Sequence, residues 1–389
     1  MSNWMNIRRQ LTLYITLFSG FMLLMLMAVN LVSAQNYYLY VAAESEDEVY
    51  EIHFDGESES AFAADTIEVG RYLTETDGPH GMTVSPDGKH WFVSVAHGNP
   101  NGYLAKYTTG SNQLVERTEL GLFPASMEIS TATGLLYVVN FNLHGKHEPS
   151  SVMVVDPETM TVVKEIETGI MPHGSRLNKG GFLQYHASMM TDELIEIDAL
   201  NMEVSRRISV NSERSHSNSD QGQKNANIVQ ASMTEGNSHH GSMPVAKPTW
   251  AHPHPTKPLV YVANNGSDEI VEVNTEKWEI ERRFSTGKAP YNLEVTDNGK
   301  LLVASYKGEG ATGVWDLEKG KELAKIKNSR MVSHGVTISP DSRYAFISVE
   351  GRQGEPGSVD VIDLEKLKMV DYVEVGKQAG GIYFWKMVD

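Results

Sequence analysis

The stretch Pro79 to Val95, PHGMTVSPDGKHWFVSV, constrains the fold more than any other, because worn copies of it recur along the chain. Each copy runs through a proline or its substitute, an alternating apolar segment, a turn and a second alternating segment. PASMEISTATGLLYVVN begins at Pro124, PHGSRLNKGGFLQYHA at Pro172, PTWAHPHPTKPLVYVAN at Pro248, PYNLEVTDNGKLLVAS at Pro290 and SHGVTISPDSRYAFISV at Ser333; a fainter copy, QAGGIYFWKMVD, begins at Gln378. Successive starts lie 45, 48, 76, 42, 43 and 45 residues apart. A period in the forties, built of short alternating strands, is the spacing of propeller blades, whose sheets bury their faces only against neighbouring sheets. The seven starts therefore predict one all-β domain over 35–389, a single seven-bladed β-propeller. The one long interval places an insertion at 211–247, rich in Ser, Asn, Gln and Gly and poor in large apolar residues, a composition that favours disorder.

The ends of the repeat array do not match whole blades. Asn36 to Gly70 reads as the last three strands of a blade, and Gly380 to Trp385 as a first strand without the rest. The two ends are expected to share one blade, which would close the ring and leave no open sheet edge at the junction.

Within the first strand of each copy, the fourth and sixth places are apolar in most copies, as in Met82 and Val84, Met127 and Ile129, or Leu293 and Val295. With side chains alternating along a strand, these pack between blades and the fifth place points the other way. The fifth place reads Thr83, Glu128, Arg176, His252, Glu294, Thr337 and Ile382. Since the innermost strand of a blade lines the central channel, Glu128, Arg176, His252 and Glu294 are the candidate ligand-binding residues, with a merely solvated charged lining as the simpler alternative.

Met1 to Ala34 carries Arg8 and Arg9, an apolar run from Leu11 to Val29, and Val32-Ser33-Ala34. That order is the pattern of a secretory signal peptide over 1–34, and implies a periplasmic or secreted protein. The length of the apolar run leaves an uncleaved membrane anchor as the alternative. The sequence has no cysteine, which excludes disulfides, covalent c-type haem, thiolate copper centres and cysteine nucleophiles. A formal charge of −17 opposes nucleic acid and anionic lipid as partners. No GxSxG, HExxH, Walker, Rossmann or EF-hand signature is present.

Histidine is the residue whose placement the repeat does not explain. The second place of the copies holds His80, His173 and His334, against Ala125, Thr249, Tyr291 and Ala379 elsewhere. Equivalent positions converge on the propeller axis, so three imidazoles are expected to ring one mouth of the channel. His97, His144 and His147, in the loops between second and third strands, fall on the same face, as do His216, Met233, His239, His240 and Met243 of the insertion. Imidazole accompanied by thioether sulfur suits copper over harder ions. The candidate metal ligands are thus His80, His173, His334, His97 and His144, with a copper ion as candidate cofactor. The competing reading is that Pro-His-Gly is a duplicated strand entry whose histidine bonds a backbone carbonyl.

The third strands, SVMVVDPETMTVV from Ser151, DELIEIDALNMEV from Asp192, DEIVEVNTEKWEI from Asp268 and GSVDVIDLEKLKMV from Gly357, join YVVN at Tyr137–Asn140 and YVAN at Tyr261–Asn264. Together they resemble the YVTN-type propeller repeat of extracytoplasmic bacterial and archaeal proteins. More distantly the unit is similar to the propellers of cytochrome cd-type nitrite reductase and of the N-terminal domain of nitrous oxide reductase. The resemblance covers nearly all of 35–389. It implies the fold and an extracytoplasmic location, but transfers no ligand, because the cysteine-bearing copper domain of nitrous oxide reductase has no counterpart here. Propellers host many unrelated functions. The expected function is binding of a small ligand, a metal ion or a protein partner at the channel mouth where the first strands begin. The alternatives are a copper-dependent redox enzyme, a lyase- or lactonase-type enzyme using the channel histidines and carboxylates, and a structural surface protein.

Overall fold

The computed structural model describes residues 35–71, 74–97, 101–211 and 244–389. The predicted signal peptide, and His216, Met233, His239, His240 and Met243 of the insertion, lie outside the described residues. Twenty-eight strands among the described residues, β1 to β28 in chain order, form seven antiparallel four-stranded sheets. Their innermost strands are β4 (Pro79–Val84), β8 (Pro124–Ile129), β12 (Pro172–Leu177), β16 (Pro248–Pro253), β20 (Pro290–Val295), β24 (Val332–Ile338) and β28 (Ala379–Val388). Each innermost strand touches the next, from β4 round to β28 and back to β4, so the ring is closed.

The first blade is ordered β28-β1-β2-β3, where β1 is Asn36–Ala43, β2 Glu48–Asp55 and β3 Ser60–Glu68. The two ends of the array share a blade as expected, with Tyr40 paired to Tyr383 and Val41 to Ile382. One detail of register differs from the expectation. Ala379 pairs with Ala43 as Pro79 pairs with Val95, and Tyr383 with Tyr40 as Thr83 pairs with Phe92. Gly380, not Ala379, therefore holds the second place of the last copy, and Tyr383, not Ile382, the fifth. The worn copy has no proline to mark its start, so its sequence reads one residue early, and a one-residue slip moves every side chain to the other face.

Burial falls from the axis outward: β4 and β12 are buried throughout, whereas the outer strand β7 (Leu114–Glu119) has no buried residue. The tyrosines of the YVVN and YVAN segments, Tyr137 and Tyr261, are fully buried. The Tyr137 hydroxyl donates to the Ala199 carbonyl of the next blade at 2.7 Å. The asparagines end their strands and hold adjoining loops, Asn264 donating to the Val210 carbonyl at 3.2 Å.

The innermost strands enter so close to one another that the third place of Pro-His-Gly tolerates no side chain. A Cβ on Gly81 would lie 1.8 Å from the Ala125 carbonyl oxygen, and one on Gly381 1.8 Å from that of His80. The second strands add ties between blades. Ser94 Oγ, on β5 (His90–Val95), accepts from Gly81 N at 2.8 Å and donates to the Ala125 carbonyl at 3.0 Å. Ser348, on β25 (Tyr344–Glu350), does the same between Gly335 N and the Gly380 carbonyl. These serines sit where the first strand bulges, and they satisfy backbone groups that the ladder leaves open.

Candidate functional site

The first strands carry two sets of side chains to two levels of the channel. At the second place His80, His173 and His334 come together as expected, with His80 ring centroids 5.8 Å from His173 and 5.9 Å from His334. All three are buried. Tyr291, from the same place on β20, completes the ring, 5.3 Å from His173 and 4.6 Å from His334.

Carboxylates that follow or end second strands anchor this ring. Glu44, just after β1, is buried and bridges two histidines, with Oε2 2.7 Å from His80 Nδ1 and Oε1 2.7 Å from His97 Nε2. Burial would raise the Glu44 carboxyl, but the charges and hydrogen bonds of His80 and His97 outweigh it and hold it at about 2. The hydrogen bond to Glu44 raises His97 above the usual imidazole range. On the far side, Lys307 Nζ lies 2.9 Å from Glu350 Oε1 and 4.3 Å from the Tyr291 ring centroid, and Glu350 is 3.6 Å from His334 Nε2. His173 Nδ1 meets the Thr249 carbonyl at 3.0 Å, and its Nε2 meets the Tyr291 hydroxyl at 3.1 Å. Burial, followed by the charge of His80, pushes His173 down to about 3, and burial and Lys307 push His334 well below the usual range.

Phe123 and Phe141 fill the space beside these rings, at 5.2 Å from His80 and 4.5 Å from His173. The mouth where the first strands begin is thus plugged with packed rings. His144 is exposed and reaches the cluster's rim, its ring 5.6 Å from His97. His147 is exposed and joins no ring contact described for the cluster. Among the described residues, no group of three or more His, Asp or Glu side chains is placed to hold a metal ion. Hydrogen bonds engage part of the set: Glu44 takes a nitrogen of His80 and one of His97, and both nitrogens of His173 are engaged, while His334 Nδ1 is left open. The donor set does not fit a preformed copper site.

Three residues further along the same strands the channel opens. A cavity of about 300 Å³ is lined by Glu128, Arg176, His252 and Glu294, the four residues expected to face the channel, together with Thr337 and Tyr383. It lies at the opposite end of the first strands from the histidine ring, beside the hairpin prolines Pro255 and Pro340. The open mouth is therefore not the one expected to bind. The reason is bulk: Phe123, Phe141 and Tyr291 crowd the histidine end, whereas the hairpins diverge at the other.

Arg176 connects the two levels. It lines both this cavity and a space of about 30 Å³ above it, walled by His80, His173, His334, Trp250 and Asn292. In that inner wall Trp250 Nε1, Asn292 Oδ1 and His334 Nδ1 lack well-formed hydrogen bonds. A space of that size and polarity suits one or two ordered waters. Arg176 is 7% exposed and stacks near Trp250 at 4.9 Å and Tyr383 at 5.9 Å, while its Nη1 donates to the Ser175 carbonyl at 2.9 Å. Neither Glu128 nor Glu294 is within ion-pair distance of it. Glu128 accepts from Leu177 N, and Glu294 from Ile338 N at 3.1 Å. Burial raises both carboxyls against the opposing charge of Arg176, Glu294 to about 7. Burial and Arg176 lower His252 to about 3, so its ring stays neutral.

Reasoning from the sequence missed Glu44, Lys307 and Glu350. Their signal was a charged residue at or just past the end of a second strand, on the face that the histidine entries occupy. It also missed Trp250 and Tyr383, the first because it stands at the third place, which is glycine in Pro-His-Gly and carries no repeat signal, the second because of the slipped copy.

No family model matches the chain, and no curated protein matches it by sequence. Among solved structures it is similar to Kuenenia stuttgartiensis hydrazine synthase, with a TM-score of 0.57 and 18% identity, over 77% of this chain and 80% of that one. At that identity the likeness is one of fold.

Proposed function

We propose that this chain is an exported propeller of the YVTN-repeat type that binds a small organic molecule in the channel mouth lined by Glu128, Arg176, His252 and Glu294. The observation that carries this reading is the cavity of about 300 Å³, closed at its inner end by Arg176 and the histidine ring. A concave space in which polar groups with shifted carboxyls converge beside an apolar rim is a small-molecule site by its chemistry. The leader-like segment over 1–34 supports export. A fragment library screened by methyl NMR on the intact protein tests it. Selective shifts of Val295 and Ile338, which line the cavity, are expected; a library that moves neither residue sinks the reading.

A second reading, a metal-dependent redox or lyase-type site at the histidine ring, is favoured by the approach of His173 and His334 within 6 Å of His80. It requires Glu44 or Tyr291 to release an imidazole nitrogen. Metal analysis of the protein purified without chelators separates the readings: stoichiometric copper, lost in a His80→Ala/His173→Ala double variant, would favour the second.

A further inference from the structure

We propose that the molecule bound in this cavity is an organic carboxylate, its oxygens seated on the Arg176 guanidinium and its apolar body against the rim of Pro253, Pro255, Pro340, Val295 and Phe384. This rests on the cavity being the ligand site. The charge on Arg176 cannot be removed. A buried acid or amine can neutralise itself by shifting its pKa, but a guanidinium stays charged, so a buried arginine needs a compensating partner. Among the described residues Arg176 enters no ion pair and makes one hydrogen bond, to the adjacent Ser175 carbonyl; Glu128 and Glu294 feel its charge only through space, and Trp250 and Tyr383 lie beside it. It lines the cavity directly. The guanidinium lies 4.9 Å from the Trp250 ring centroid and 5.9 Å from that of Tyr383, and its planar fork of N–H donors is the shape a carboxylate matches.

The two acids do not make the site a cation receptor. Each already gives an oxygen to a backbone N–H, and burial drives both toward their neutral forms. The groups that face Glu294 across the channel are Arg176 on β12, Glu128 on β8 and Tyr383 on β28, with Asp297 on the hairpin after β20. His252 on β16 and Lys179 complete the lining. With His252 neutral, ionisation of Glu294 adds a negative charge to a lining that also holds Glu128, Asp297, Arg176 and Lys179. Protonated, Glu294 is a donor beside the bound anion; ionised, it competes for Arg176. Carboxylate binding is therefore coupled to proton uptake at Glu294. The apolar rim distinguishes an organic anion from inorganic phosphate, which gains nothing from burying that surface.

Isothermal titration and methyl NMR on the intact protein, with hexanoate, benzoate, phosphate, benzamide and benzylamine at pH 6 and pH 8, test this. Hexanoate and benzoate are expected to shift Val295 and Ile338, and to bind roughly tenfold more weakly at pH 8, since the competent fraction falls as Glu294 ionises near 7. Glu294→Gln should abolish that pH dependence while retaining binding. Arg176→Gln should lose binding at least tenfold, and Arg176→Lys, which keeps the charge without the fork, should fall between. Carboxylate binding unchanged in both Arg176 variants overturns the proposal. So does phosphate binding as well as hexanoate, or preference for benzylamine. If benzamide or benzylamine shifts the cavity residues while carboxylates do not, the ligand class fails and the site stands. If no probe moves Val295 or Ile338, both fall.

Discussion

Glu44 illustrates how one side chain can set the state of two others. Its oxygens are divided between His80 and His97 at 2.7 Å each, and an amide in its place removes the charge and leaves one acceptor oxygen for two imidazoles. Glu44→Gln is expected to cost about 2 kcal/mol, the value of a buried hydrogen bond to a charged group, and to lower the His97 pKa. Denaturant unfolding and an NMR titration of the His97 ring check both; an unmoved His97 titration would show that the carboxylate does not control it. Gly81 acts through close packing instead. Its backbone sits where a Cβ would meet the Ala125 carbonyl oxygen at 1.8 Å, so Gly81→Ala should destabilise by about 1 to 3 kcal/mol or more through forced displacement of a neighbouring strand. Thermal unfolding reads it, and a melting temperature equal to that of the parent would contradict the close-approach account. Of the three letters in Pro-His-Gly, the glycine thus serves blade packing and the histidine the ring. A single sequence offered no means to separate those roles, because the contact that fixes each comes from another blade.

At the level of elements, β28 is the strand whose loss the molecule can least absorb. It supplies the inner edge of the first blade, places Tyr383 against Arg176, and inserts Trp385 beside Tyr40 at 5.5 Å, in a stack that continues through Trp91 to Tyr107. Truncation before Ala379 opens the ring and exposes β1 as an unpaired edge. The truncated protein is expected to be recovered as aggregate or as a loosely packed species without a cooperative unfolding transition, as judged by near-ultraviolet circular dichroism. A cooperatively folded truncation would show that closure is dispensable. The pairing of the two ends was legible in the sequence because each end lacked what the other had. The register of β28 was not, because Ala379-Gly380-Gly381 carries no proline to mark the strand's start.

For the whole molecule the buried imidazoles determine acid sensitivity. His173, His186 and His252 are held near 3 and His334 well below the usual range, each chiefly by burial. An unfolded chain protonates them near 6.5, so the folded state binds fewer protons, and their contribution, complete above 6.5, is lost as pH falls toward 3. Each contributes on the order of 1 kcal/mol per pH unit in that window. His97, Glu294 and Glu128 act in the opposite sense, since all three hold protons more tightly when folded, and as pH falls below 7 they return part of the loss. Burial lowers His53, His90 and His254 as well, so seven depressed imidazoles stand against three raised groups and the net is a decline. The urea midpoint is expected to be lower at pH 5 than at pH 7, and an equal or higher midpoint at pH 5 would refute this assignment of buried neutral histidines.

The seven-blade count, the shared closing blade and the polar fifth place with Glu128, Arg176, His252 and Glu294 were all determined by the sequence alone. Each depends on period and alternation, which are local properties of a strand and its turn. Only the tertiary structure decided which mouth stays open, that Glu44 joins His80 to His97, and that Arg176 lines the cavity outside ion-pair distance of Glu128 and Glu294. Those outcomes depend on the bulk and direction of side chains contributed by blades far apart in the chain, and no repeat spacing specifies how they meet at the axis.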